Sequence, residues 1–167
     1  MLIRPERPHD VDPIDRLTIA AFEPQWFSDG SEAPIIRSLR ASGDLTLSLV
    51  AEADGDVIGH VAFSPVTIDG SHDGWFGLGP ISVRLDRQRR GIGRALVAEG
   101  LRRLWDRDAR GCALIGDPNI YGRMGFTSDG ALSHRGLDRS VVQHVTFSGP
   151  PPRGELQFAP AFDAAGH

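Results

Sequence analysis

Gln88-Arg89-Arg90-Gly91-Ile92-Gly93 is the stretch that decides how this chain is read. It follows a strand-like segment, Gly79-Pro80-Ile81-Ser82-Val83, and opens a helix-like one that runs from Arg94 to Trp105. The first N–H groups of a helix lack internal partners, and the helix dipole adds partial positive charge there, so such a start attracts anions. Gly91 and Gly93 let a bulky group approach the backbone without meeting a Cβ. Arg89 and Arg90 add forked donors that suit phosphate oxygens. These residues predict a phosphate or pyrophosphate ligand; an ordinary solvated turn with a glycine cap is the alternative they leave open. The dinucleotide fingerprint is excluded, because its spacing would need glycine in place of Leu96. A P-loop is excluded too, since all 18 Lys-or-Arg positions are arginine. The lack of lysine also removes amine nucleophiles and Schiff-base chemistry.

Composition sets the frame around that turn. A chain of 167 residues with 40% hydrophobic and 24% charged residues predicts one globular domain with its own core, over residues 1–160, followed by a short flexible tail at 161–167. A net charge of −4 argues against broad nucleic-acid binding, and the local basic patch of Arg87, Arg89, Arg90 and Arg94 suits a small polyanion better than a duplex. One cysteine, Cys112, allows no internal disulfide and gives no zinc pattern; it reads as a buried small hydrophobe. Six histidines scattered without ligand spacing predict no metal. No apolar run is long enough to span a bilayer and no secretory leader is evident, so the expectation is a cytoplasmic protein without a membrane partner.

Strand and helix patterns alternate along the chain. Met1 to Pro5 reads as a strand, and Asp10 to Phe22 and Ser31 to Ser42 as helices by their apolar period. Thr46 to Glu52 and Val57 to Ser64 read as strands joined by Asp54-Gly55, a strong hairpin signal. A strand from Trp75 to Val83 carries Gly77 and Gly79, which predict a bulge or a close ligand approach. Ile92, Leu96, Leu101, Leu104 and Trp105 form the expected buried side of the helix after the turn. Cys112 to Gly116 is a short apolar strand, and Asp117-Pro118 starts a short helix that carries Tyr121 and ends at Gly125-Phe126. Val141 to Phe147 and Glu155 to Phe158 read as a final strand pair. The sum is an α/β domain with a mixed sheet.

Together these residues resemble the GNAT acetyltransferases. Gln88-Arg89-Arg90-Gly91-Ile92-Gly93 is similar to the family's Q/R-x-x-G-x-G/A turn, and Tyr121-Gly122-Arg123-Met124-Gly125-Phe126 to its Y-x-x-x-G-F. The two motifs stand in the family's order, and the resemblance covers roughly Leu2 to Phe158. Gly59-His60-Val61-Ala62-Phe63-Ser64-Pro65-Val66 and Gly116-Asp117-Pro118 look like the YhbS-type branch.

The resemblance implies a mostly antiparallel mixed sheet splayed around a V-shaped cofactor cleft, with helices on both faces. It implies N-acetyl transfer from acetyl-CoA to an amine of a small molecule or protein, without a metal. Ile81, Ser82 and Val83 would lie along the pantetheine arm, and Arg89, Arg90, Gly91, Ile92, Gly93 and Arg94 would hold the pyrophosphate. Tyr121 would protonate the departing thiolate, and the N–H of Val83 would stabilise the oxyanion. A homodimer is a further expectation from the resemblance. Two departures stand out. Where many relatives carry a glutamate on the strand before the turn, this chain has Gly77, Leu78, Gly79 and Ser82, and Leu114 stands where an asparagine often precedes the tyrosine. The base is therefore open among Glu32, His60, Asp73, Asp117 and an ordered water. Trp26, Phe27 and Trp75 are candidates to line the acceptor pocket. A non-catalytic acyl-CoA-binding or sensing domain is the alternative of a different class. A protein-interaction module with an incidental anion site is a third.

Overall fold

The computed structural model describes residues 1–163. In chain order these form β1 (Leu2–Pro5), α1 (Val11–Phe22), α2 (Glu32–Ser42), β2 (Leu47–Ala53), β3 (Asp56–Pro65), β4 (Thr67–Ile68) and β5 (Trp75–Val83). There follow α3 (Ile92–Asp106), β6 (Gly111–Ile115), α4 (Pro118–Tyr121), β7 (Leu132–Ser133), β8 (Val142–Thr146), β9 (Gly154–Gln157) and α5 (Pro160–Asp163). A six-stranded sheet has the order β1-β2-β3-β5-β6-β8, antiparallel throughout except for the parallel pair β5–β6. The mixed, mostly antiparallel sheet expected from the resemblance is the one observed.

Alternation along β2 and β3 sorts the two layers. Leu49, Ala51, Val61 and Phe63 point to one face and join Ile92, Leu96, Val97 and Leu104 of α3 in the main core. Val50 points to the other face and packs with Ile14 of α1 and Ile36 of α2. Gly100 of α3 makes this packing close, because a Cβ there would stand 2.2 Å from Cζ of Phe63. The Asp54-Gly55 turn joins the hairpin with Ala53 opposite Asp56, as the sequence predicts.

Several expectations need correction. The strands near 141–147 and 155–158 do not pair with each other. β8 pairs with β6, whereas β9 sits between β4 and β7 in a separate three-stranded sheet. This small sheet covers a second core of Val66, Trp75, Ala113, Leu132, Val142 and Leu156. Trp105, expected on the buried side of its helix, is 57% exposed and meets Phe147 edge to face, at 5.6 Å between ring centres. Asp10 is not part of the first helix; it closes a short 3-10 turn at Pro8–Asp10 and is buried against Arg4. At the C-terminal end, Pro160–Asp163 forms a short helix whose Ala161 and Phe162 pack on Ile35 and Leu39. The rest of the expected tail, 164–167, lies outside the described residues.

Candidate functional site

The site begins where β5 and β6 part. They pair only at Trp75–Gly111, Phe76–Cys112 and Gly77–Ala113. Beyond Gly77, β6 stays with β8 as far as Ile115–Val142, and β5 stays with β3 as far as Val83–Gly59. Among the described residues, the strand from Leu78 to Val83 therefore has no strand partner on its β6 side, and a cleft opens there. Arg84 N–H donates to the Ile58 carbonyl at 2.8 Å. Backbone groups alternate along a strand, so the N–H groups of Val83 and Ile81 face the cleft while the backbone of Ser82 is turned toward β3.

Both glycines of β5 prove purposeful, for different reasons. The β3–β5 register slips between Val61–Ile81 and Phe63–Leu78, which leaves Gly79 and the cis-linked Pro80 opposite Ala62 alone. Gly79 has φ +132, a conformation open to glycine and strained for other residues. That is the expected bulge. Gly77 serves packing instead: a Cβ would stand 2.7 Å from Cγ1 of Val66 and 3.0 Å from the ring of Phe158.

The turn after β5 is tied to the strand by a bond not foreseen from the sequence. Gln88 Nε2 donates to the Val83 carbonyl at 3.0 Å. Gly91 takes φ +81 as the N-cap of α3, and the first helical bond, from Ala95 N–H to the Gly91 carbonyl, is 3.0 Å. The amides of Ile92, Gly93 and Arg94 precede that bond and are the free donors of the helix start. The Ile92 side chain is buried in the core, so only its amide is available to a ligand. The side chains of Arg89, Arg90 and Arg94 are exposed and form no ion pair among the described residues. Gly93 lies over the strand end, with its Cβ position 3.8 Å from Val83 and 3.9 Å from Ile81. The structure thus brings Ile81, Val83 and residues 89–94 together. Ser82 faces the opposite side of the sheet, buried, and its Oγ has no hydrogen-bond partner among the described residues.

Tyr121 stands at the end of α4, beyond the C-terminal end of β6. Asp117 caps this helix by accepting the Asn119 N–H at 2.9 Å, and Pro118 occupies its first turn. The ring of Tyr121 lies against Gly116, where a Cβ would stand 2.6 Å from Cε2. It meets Phe126 edge-on at 6.2 Å and packs on the same core as Ile81 and Val83. Burial raises the pKa of the phenol above its usual value, so at pH 7 it is a neutral proton donor.

The four side-chain base candidates are separated. Asp117 is the helix cap just described, and Asp73 sits in a turn with φ 43. His60 is fully buried, its Nε2 2.7 Å from Ser48 Oγ, and burial pushes its pKa down to about 4. Ser48 in turn meets Glu6, which is held by Arg40 at 2.9 and 3.0 Å. Glu32 accepts from Ser28 Oγ at 2.6 Å. It lines a cavity of about 360 Å³ with Thr18, Ile19, Phe22 and Glu23, between α1 and α2. The aromatic trio is not assembled. Trp75 is buried in the second core, while Trp26 and Phe27 lie edge to face on an exposed loop. Cys112 is buried and its thiol pKa is pushed far up, which makes it inert. Among the described residues there is no cluster suited to a metal ion and no helix long and apolar enough to cross a membrane.

Comparisons with known proteins converge on one family. A model of the acetyltransferase (GNAT) domain matches residues 44–128. The uncharacterized N-acetyltransferase YhbS of Escherichia coli K12 is 44% identical over 127 residues, covering 75% of this chain and 73% of that protein. A GNAT-family acetyltransferase from Brucella melitensis, solved in complex with acetyl-CoA, superposes with a TM-score of 0.87 at 46% identity, covering 97% of both chains. E. coli YhbS in complex with CoA gives a TM-score of 0.89 at 34% identity, over 97% of this chain and 91% of that one.

Proposed function

The chain belongs to the GNAT acetyltransferase family, and on that premise we propose that it moves an acetyl group from acetyl-CoA to an amine of a small molecule or protein by direct attack. The observation that carries this reading is the unpartnered edge of β5 running straight into a glycine-arginine helix start, with Gln88 joining the two. Peptide-like and pyrophosphate groups need those two features side by side. The domain would span residues 1–160.

In this reading the cleft-facing amides of Ile81 and Val83 pair with the pantetheine arm, while Ser82 between them, its backbone turned toward β3 and its side chain buried, sets their spacing without touching it. The amides of Ile92, Gly93 and Arg94 hold the pyrophosphate, Gly91 leaves room for it, and Arg89 and Arg90 neutralise its charge. Bound acetyl-CoA supplies the activated thioester carbonyl. The Val83 N–H would stabilise the carbonyl oxygen as the amine nitrogen adds. An acceptor that arrives as a cation first gives one proton to water, since an ammonium has no lone pair to add. As the C–S bond then breaks, Tyr121 gives its proton to the thiolate, and the nitrogen releases a second proton to water. The cavity between α1 and α2 is the proposed acceptor entrance. Glu23 and Glu32 on its wall favour an amine that arrives as a cation, and Ile19 and Phe22 favour an apolar stem.

The test is acetyl-CoA binding by calorimetry, on the intact protein and on Gly91→Glu. Binding that vanishes in the variant supports the phosphate turn; no binding to the intact folded protein sinks the reading. Because Glu32, His60 and Asp117 are each engaged elsewhere, a non-catalytic acyl-CoA-binding role is the second reading. It would be favoured by tight binding without transfer to any of a broad panel of primary amines.

A further inference from the structure

We propose that Gln143 is a positioning residue for Tyr121: through the Gly116 carbonyl it fixes where the phenol stands. Gln143 lies on β8, 1% exposed, opposite Leu114 in the β6–β8 ladder and therefore on the same face of the sheet as Gly116. A polar amide on that face, among apolar neighbours, needs a reason. Its Nε2 donates to the Gly116 carbonyl at 2.9 Å. A carbonyl can only accept, so the amide orientation is fixed by this bond.

The other end of the Gly116 unit is held as well, its N–H donating to the Val141 carbonyl at 3.1 Å. Gly116 is thus clamped from β8 and its lead-in at both polar groups. On this clamped residue rests the ring of Tyr121, so close that even a methyl group at position 116 would strike Cε2 at 2.6 Å and Cδ2 at 2.9 Å. The connection runs Gln143 to Gly116 to the ring. Moving the seat moves the hydroxyl at the far end of the ring. A proton donor displaced by about 1 Å can lose up to roughly a hundredfold in rate.

The importance of that placement rests on the acid role proposed above for Tyr121, but the placement itself does not. Tyr121 is the sole tyrosine, so [13C]tyrosine labelling of the full chain gives its ring signals alone. Gln143→Met keeps the side-chain length and removes the donor. The expected result is a displaced Tyr121 ring signal, acetyl-CoA affinity within about twofold of the parent, and acetyl transfer reduced about tenfold in kcat rather than in KM. Gln143→Glu adds a reversible version. Its carboxylate cannot donate to Gly116, whereas its protonated form can, so the ring signal should return toward the parent position as pH falls. It also serves if Gln143→Met folds poorly.

Ring signals that superimpose on the parent in Gln143→Met, or that stay equally displaced at every pH in Gln143→Glu, would overturn the inference. So would a displaced ring with undiminished kcat in a protein whose Tyr121→Phe variant is impaired. A displaced ring with Tyr121→Phe fully active would support the placement while refuting the acid role.

Discussion

Ser48 Oγ lies 2.7 Å from His60 Nε2, and the direction of the bond between them is set by a third residue. Glu6, whose hydrogen bonds from Arg40 and Ser48 help hold its pKa below the usual carboxylate value, can only accept. Ser48 must therefore donate to Glu6 and accept from His60, which puts the imidazole proton on Nε2 and leaves Nδ1 bare. That Nδ1 is buried without a partner among the described residues. The ring is built to be neutral.

Acid should unfold the protein partly through this residue. The folded pKa of His60, about 4, lies below the ordinary value of 6.5. Its contribution is thus complete above pH 6.5 and is lost as pH falls toward 4, where the unfolded state binds the extra proton. Over that window the loss is about 3 kcal/mol. Urea unfolding at pH 7 and pH 4.5 should show the decline in the parent and a shallower one in His60→Asn. Equal declines would refute the assignment.

The ion pair under β1 should prove far more costly to break than surface pairs. Asp10 accepts from both guanidinium nitrogens of Arg4, at 2.7 and 3.1 Å, and from Arg7 N–H at 2.7 Å. These bonds hold its carboxyl down to about 2. Asp10→Ala leaves Arg4 with only its bond to Glu52 as ionic partner and should cost roughly 3–5 kcal/mol. Arg37→Ala, which removes an exposed pair with Asp15, should cost under about 1 kcal/mol. Chemical denaturation of the two variants compares them directly.

What could be read from the sequence follows chain distance. Gln88 to Gly93 and Tyr121 to Phe126 are contiguous runs whose local chemistry survives folding, and the β2–β3 hairpin is announced by its own turn. The place of β9 was hidden because two-residue partners, β4 and β7, leave no periodic signal. Trp105 misled because it is adjacent to Leu104 at the helix end, where one step of 100° turns a side chain out of the core. The purpose of Gly77 lies in Val66 and Phe158, one of them some eighty positions away. Gln143 carried no motif; only its burial opposite Leu114 reveals it.

Gly77→Ala separates packing from ligand approach on β5. Its backbone tolerates a side chain, but a Cβ would overlap Val66 and crowd Phe158. The expected result is a loss of about 1–3 kcal/mol in stability, with acetyl-CoA affinity changed less than twofold. A variant of parent-like stability that binds acetyl-CoA poorly would reverse the assignment.

Arg89, Arg90 and Arg94 should behave in the opposite way. They are exposed and form no ion pair among the described residues, so alanine at any of them should leave stability within about 0.5 kcal/mol. Each should weaken CoA binding several-fold, and the salt dependence of affinity should flatten as arginines are removed, because exposed charge pairs are screened. Calorimetry at two ionic strengths measures both effects. Unchanged affinity in the triple alanine variant would leave the helix-start amides as the whole phosphate site.

Tyr121→Phe removes one hydroxyl while keeping the ring seated on Gly116 and edge-on to Phe126. Stability should hardly change, since that hydroxyl has no hydrogen bond among the described residues. Loss of a general acid should lower kcat by roughly a hundredfold and leave KM for acetyl-CoA near the parent value. Burial raises the pKa of the phenol above 10, so the parent should keep its donor throughout the neutral and mildly alkaline range. Any loss of activity through Tyr121 ionisation belongs above pH 10. A parent rate that falls with an apparent pKa well below 10, and a Tyr121→Phe variant that keeps the same limb, would assign the proton donor elsewhere.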